Sequence, residues 1–183
     1  MNKPVLGLVV GAVGLLTTIS TPTRFEARQV TDPFAPVSFM IGRWESTIEG
    51  EPGKGIGRRE YTRALNNRFI RIVNRSEYPP QEKNPKGEVH EDEGFFSFDR
   101  ARKRLVLRQF HVEGFVNQFV QDSDAPNGTL VFTSEALENI PAGYRARETY
   151  IVKGSDTFEE LFEIAAPGQP FQTYSRQTFT RVK

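Results

Sequence analysis

The sequence predicts an all-β fold, a ten-stranded antiparallel up-and-down barrel, and three observations predict it. From Val37 onward no long stretch keeps a helical period. Apolar and polar residues instead alternate in short runs rich in β-branched and aromatic side chains, and explicit turn formers separate the runs. Ten such runs joined by short turns describe a meander closed on itself, because closure removes the unpaired edges that so many strands would expose.

In order, strands are expected at 39–49, 56–65, 68–77, 89–98, 104–113, 115–121, 129–137, 144–153, 157–165 and 171–182. "EPGKG" ends the first, "LNN" the second, "DAPNG" the sixth, "IPAG" the seventh and "KGSD" the eighth. The segment 78–88, "YPPQEKNPKGE", is the longest polar connection, and its three prolines cannot join a ladder. Ten strands leave more interior room than eight, enough for one small or medium ligand, so function is expected on inward-facing side chains.

Composition narrows the classes. The chain has 183 residues and a net charge of +1 from 24 basic and 23 acidic side chains, which suits one globular domain and gives no electrostatic reason to expect nucleic acid. Cysteine is absent, which removes disulfides, thiolate catalysis and thiolate metal sites, and leaves two histidines and five tyrosines as the scarce carriers of metal or acid–base chemistry. Residues 1–24, "MNKPVLGLVVGAVGLLTTISTPTR", place Lys3 before an uncharged run at 4–23. This is the pattern of a secretory signal peptide, and the run is also long enough to serve as an uncleaved membrane anchor. Either way the barrel, 37–183, is expected outside the cytoplasm, periplasmic or extracellular, beyond a linker at 25–36, and any contact with a membrane would run through the N-terminal segment.

Both histidines lie in one hairpin, "HEDEGFFSFDRARKRLVLRQFHVEG". If 100–103 is its turn, Asp99 pairs with Arg104, Asp92 falls opposite His111 and His90 opposite Glu113. One face then carries His90, Asp92, Gly94, Phe96, Phe98, Leu105, Leu107, Gln109 and His111; the other carries Glu91, Glu93, Phe95, Ser97, Arg104, Val106, Arg108, Phe110 and Val112. The first is apolar toward the turn and polar at the far end, as the wall of a cavity with a sealed base would be, and is expected to face inward. The pair His111/Asp92 reads equally as a cross-strand contact, and His90, Asp92 and His111 together also make a two-histidine, one-carboxylate ligand set. No nucleophile–base–orienter set is legible: the serines stand outside any GxSxG turn, and the carboxylates of "HEDEG" alternate between faces.

Four pieces in order, Gly42-x-Trp44, His90-x-x-x-Gly94-Phe95, His111-x-x-Gly114 and "GQPFQTYSRQTF" from Gly168, resemble the nitrobindin-like haem-binding barrels. Gly42-x-Trp44 is also similar to the pattern of lipocalin-like and fatty-acid-binding-protein-like (calycin) barrels, in which the Trp plugs the base. The resemblance covers roughly 38–182. It implies a calycin-like barrel, haem as cofactor, and handling of nitric oxide or peroxynitrite by an isomerase-like activity if haem is held. The family's histidine on the last strand, after a Gly-x-Pro turn, falls on Tyr174 here, and "WESTIEG" lacks the early second glycine of the first-strand motif. Haem would therefore need Tyr174 as its iron ligand, with Arg176, two residues on, expected on the same face to favour the phenolate. The same Tyr–Arg pair also suits the acidic head of a lipid.

Three functions follow from this reading. The first is an exported barrel that holds a small hydrophobic ligand with Tyr174, Arg176, His111, His90, Asp92, Gln109 and Trp44 around it. The second is a haem protein ligated through Tyr174, the only version in which an enzyme is expected. The third is a structural barrel whose phenylalanines, Phe95, Phe96, Phe98, Phe110, Phe115, Phe119 and Phe132, simply fill the lumen.

Overall fold

The computed structural model describes residues 32–183; the leader expected at 1–24, the anchor at 4–23 and the first part of the linker lie outside them. A 3-10 helix, Ala35–Met40, precedes ten strands: β1 (Gly42–Gly50), β2 (Gly53–Ala64), β3 (Phe69–Tyr78), β4 (Glu88–Asp99), β5 (Arg104–His111), β6 (Val116–Gln121), β7 (Thr129–Glu138), β8 (Arg145–Val152), β9 (Thr157–Ala165) and β10 (Gln172–Arg181). Each strand pairs antiparallel with its neighbour in sequence and β10 pairs with β1, so the sheet is a closed barrel. The fold class and all ten strands are as the sequence predicts.

The start differs. Residues 39 and 40 belong to the helix, because Pro36 suits a first helical turn and cannot donate to a ladder. The described end of the expected linker is not free either. Phe34, Val37 and Met40 are buried beneath the barrel, and the Trp44 indole donates to the Met40 carbonyl at 2.6 Å. Arg63, ion-paired with Asp32, covers the Phe34 ring.

Alternation decides the core. At the helix end, inward positions are Trp44, Tyr61, Ile70, Ile72, Phe96, Leu105, Leu107, Phe119, Phe132, Tyr150, Phe158 and Phe179, all buried in one cluster. Phe158 is its hub, edge-on to Trp44 at 4.7 Å and stacked on Phe179 at 4.6 Å. Trp44 thus plugs the base as expected. Of the seven phenylalanines expected as filling, Phe96, Phe119 and Phe132 are fully buried and Phe98 packs partly buried against them. Phe95 instead meets Phe69 on the outside, Phe110 is half exposed, and Phe115 lies against His111.

The 88–111 hairpin has the expected register, with Asp99 opposite Arg104 and Asp92 opposite His111. Its expected inner face is inward. On the outer face the exception is Val106, which is buried between Ser97 and Val120.

Candidate functional site

Above the apolar base, the inward positions turn polar. Arg59, Asn74, Ser76, Asp92, Gln109, Asn117, Glu148, Glu160, Ser175 and Gln177 are all buried. Such groups cost several kcal/mol in an apolar interior unless they are paired, roughly 2–7 each in model transfers, and here they pair with one another. Arg59 makes a bidentate ion pair with Glu160 and donates from Nε to Asn74 Oδ1 at 2.9 Å. Asn74 passes the chain on, donating to Asp92 Oδ2 at 2.7 Å. Gln177 donates to Glu160 and accepts from Ser46, and the Tyr150 hydroxyl donates to Glu148.

The charges close without a surplus. Burial pushes the Glu148 carboxyl up to about 8, and the nearby Glu160 charge adds to the shift, so Glu148 is neutral at pH 7. Burial works against Asp92 as an anion, but the His90 hydrogen bond and the Arg59 charge outweigh it and hold the carboxyl below its usual range. Two pairs, Arg59–Glu160 and His90–Asp92, then balance around a neutral Glu148. Among the described residues, Gln109 Oε1 is the exception, a buried acceptor with no partner.

The open end carries the two histidines. His90 stands on β4, and His111 ends β5 at a tight turn, "HVEGF". Gly114 takes a positive φ of 88° there, donates to the His111 carbonyl, and lets Phe115 return to accept from the His111 amide. Phe115 then stacks on the His111 ring at 4.1 Å. The turn also brings Glu113 Oε1 to 2.8 Å from His90 Nδ1. His90 Nε2 points to Asp92 Oδ2 at 3.5 Å and to His111 Nδ1 at 3.3 Å, and His111 Nε2 meets Asn117 at 3.1 Å. Burial opposes the charge on His90, but Asp92 and Glu113 raise it to about 9. Burial lowers His111 to about 4, with the His90 charge adding to the effect against the pull of Asp92. One ring is a cation and its neighbour is neutral. So the rings do meet, and Asp92, Gln109 and Asn117 form the floor beneath them.

Tyr174 and Arg176 are placed differently from the expectation. A bulge between Thr173 and Ser175 breaks the alternation of β10. Ser175, Gln177 and Phe179 face inward, and Arg176 faces outside against Glu159. Tyr174 leans over the rim edge-on to Phe162 at 5.8 Å, and it remains 39% exposed. Burial and the carboxylates of Glu88, Glu113 and Glu51 raise its phenol above the usual value. With Arg176 turned away and acidic groups around it, the Tyr174 hydroxyl is held in its neutral form. It does not fit the role of a phenolate ligand to haem iron.

Sequence reasoning missed Arg59, Asn74, Glu148, Glu160 and Gln177. The available signal was alternation itself: each stands two residues from an inward aromatic or apolar position, at Tyr61, Ile72, Tyr150, Phe158 and Phe179.

Comparison with known proteins bears on the fold. No family profile and no curated protein matches the sequence. Among solved structures, the chain is similar to Rv2717c from M. tuberculosis, with a TM-score of 0.63 and 14% identity over 82% of this chain and 98% of that one. The likeness is one of fold. Two further similar structures are EF1p2_mFAP2b bound to DFHBI, with a TM-score of 0.42 and 10% identity over 80% of this chain and 96% of that one, and the redesigned beta barrel b11L5F_LGL, with a TM-score of 0.41 and 9% identity over 80% and 94%. The fold is compatible with a ligand-binding barrel.

Proposed function

We propose that the barrel binds a small amphipathic molecule at its open end, its apolar part on Phe162, Tyr174 and Leu137 and a hydrogen-bond donor directed down at the floor. The observation that carries this reading is Gln109 Oε1, a buried acceptor without a partner among the described residues, in the layer where Arg59, Asn74, Asp92 and Glu160 are paired. A buried polar group left unsatisfied costs about 1–3 kcal/mol, which a ligand N–H or O–H recovers. The small hydrophobic ligand expected from the sequence needs a polar end here, because the layer under the mouth is built of amides and carboxylates.

The test is a pair of probes, 4-ethylphenol and 4-ethylanisole, which differ in the donor alone. Titration into the 15N-labelled full chain is expected to shift the Gln109 side-chain amide with the phenol. The ether should bind at least roughly ten-fold more weakly, since a site built to bond a hydroxyl rejects an analogue without it. Gln109→Leu should level the two. Equal binding to the unmodified protein, or shifts confined to other surfaces, would sink the reading.

Three further features support the open end as the place of binding. His90 has 22% of its side chain exposed there. Leu137 and Phe162 are only partly buried against the core. Tyr174 reaches over the rim. Export from the cytoplasm, expected from residues 1–24, belongs to the same proposal. It is tested by the N-terminal residue of the protein recovered from outside the cells: a start beyond residue 20 supports a cleaved leader, and an intact Met1 in the membrane fraction supports an anchor.

A further inference from the structure

His90 Nε2, Asp92 Oδ2 and His111 Nδ1 converge on one point at the mouth. His90 Nε2 faces both other atoms, Asp92 Oδ2 at 3.5 Å and His111 Nδ1 at 3.3 Å. Three potential ligand atoms, all within 4.8 Å of one another, are thus turned toward a common centre. Two nitrogens and an oxygen bonded tetrahedrally to zinc at about 2.0–2.1 Å would lie about 3.3–3.4 Å apart. Two of the three separations already match.

We infer that His90, Asp92 and His111 form a binding site for a divalent first-row transition ion of the zinc type, with an open coordination position toward the mouth. The inference is independent of the ligand reading, which rests on Gln109.

The surroundings support it as a built site rather than a chance cluster. Metal-bound histidines usually donate their other ring N–H to a carboxylate or carbonyl, which fixes tautomer and orientation. His90 does so to Glu113 through Nδ1 at 2.8 Å. Asp92 is buried, and the Asn74 amide donates to its ligand oxygen, Oδ2, at 2.7 Å, which holds that oxygen at the site. His111 is clamped by Phe115 and meets Asn117 through Nε2. Asn117 turns its Nδ2 to His111 Nε2; with Nδ1 on the ion, Nε2 carries the proton and the Asn117 amide flips to present its oxygen. Nitrogen ligands favour zinc, copper, nickel and iron over magnesium and calcium. His90, partly exposed at the mouth, marks the entry path, whereas the base is sealed by Trp44 and the 3-10 helix.

The experiment uses the full chain, stripped with a chelator, and zinc chloride as the probe. The chain has only two histidines, so imidazole 15N resonances report directly on the site. One equivalent of zinc should move His90 Nε2 and His111 Nδ1 to metal-bound values while His90 Nδ1 keeps its proton. Cobalt(II) should give the intense visible bands of a four- or five-coordinate ion. Calorimetry should show that His111→Gln and Asp92→Asn each abolish stoichiometric binding, and that Glu113→Gln, at the exposed rim and harmless to folding, weakens it by about 10–100-fold. Zinc held equally well by His111→Gln would assign the ion to Glu88, His90 and Glu113, which also lie together, and overturn the inference. So would imidazole resonances that stay in place at excess zinc, a measurement on the unmodified protein that no folding defect can obscure.

Discussion

At the closed end, the inward positions of the strands hold Tyr61, Phe96, Tyr150, Phe158 and Phe179; one or two rungs further along the same strands they hold Arg59, Asp92, Glu148, Glu160 and Gln177. Both halves are equally buried, but they are stabilised differently. The base gains from area removed from water and from aromatic packing, which tolerate local adjustment. The middle layer depends on every partner being present, because a charge left alone in the interior is costly. A barrel made only of the first kind would be a brick. The second kind gives the open end directed groups, and with them selectivity.

The contrast can be broken by substitution. The largest effects are expected where a burial or pairing role is removed outright. Phe158→Ala should cost about 3–5 kcal/mol in urea unfolding, as cavities left by large aromatics do. Arg59→Met should cost a similar ~3–5 kcal/mol, because it leaves Glu160 buried and unpaired. The two differ in rescue: Arg59→Met combined with Glu160→Leu should recover much of the loss, whereas no single second change refills the Phe158 cavity. If Arg59→Met unfolds no more easily than wild type, the polar layer is not held by that pair.

A smaller effect is expected from Glu148, and it depends on pH. Its folded value, about 8, lies above the usual 4.5. The unfolded chain therefore loses this proton first as pH rises. The stability that the neutral form contributes is complete below pH 4.5 and is lost progressively toward pH 8. Glu148→Gln should flatten that part of the profile, so the variant gains on wild type as pH rises from 5 to 8. Parallel profiles over that range would show that the carboxyl is ionised in the fold.

The smallest effect is expected on the outside of β10. Arg176→Ala should change stability by less than about 0.5 kcal/mol, since an exposed pair with Glu159 contributes little. The same substitution should leave 4-ethylphenol binding unchanged, which separates Arg176 from Tyr174 and the mouth.

The barrel and the hairpin register were legible because both follow from period-2 alternation and turn residues, which are local signals. The turn at 100–103 was enough to place Asp92 opposite His111 and to turn Gln109 inward. Tyr174 and Arg176 were misplaced as a pair because the family motif sets Tyr174 inward, whereas alternation counted back from the buried Phe179 turns Gln177 and Ser175 inward and leaves Arg176 and Tyr174 outside. The buried polar layer stayed hidden for another reason. Glu148 and Glu160 sit in "RETY" and "FEEL", where charge suggests a solvated face, and only the partners brought from distant strands make burial tolerable. The 3-10 helix was missed because its apolar residues, Val37, Phe39 and Met40, run on into the pattern of β1.

Ring closure has a consequence in time as well as in space. Ser46 and Gln177, hydrogen-bonded across the β1–β10 seam, are 131 residues apart in sequence. Until the last strand is available, β1 and β9 are both raw edges, and the carboxylate of Glu160 lacks the Gln177 amide that shares it. Contacts of such separation slow folding, and unpaired edges invite other chains. The final dozen residues therefore act as a latch. A chain shortened by that much should behave as an aggregation-prone open sheet rather than as a slightly smaller barrel.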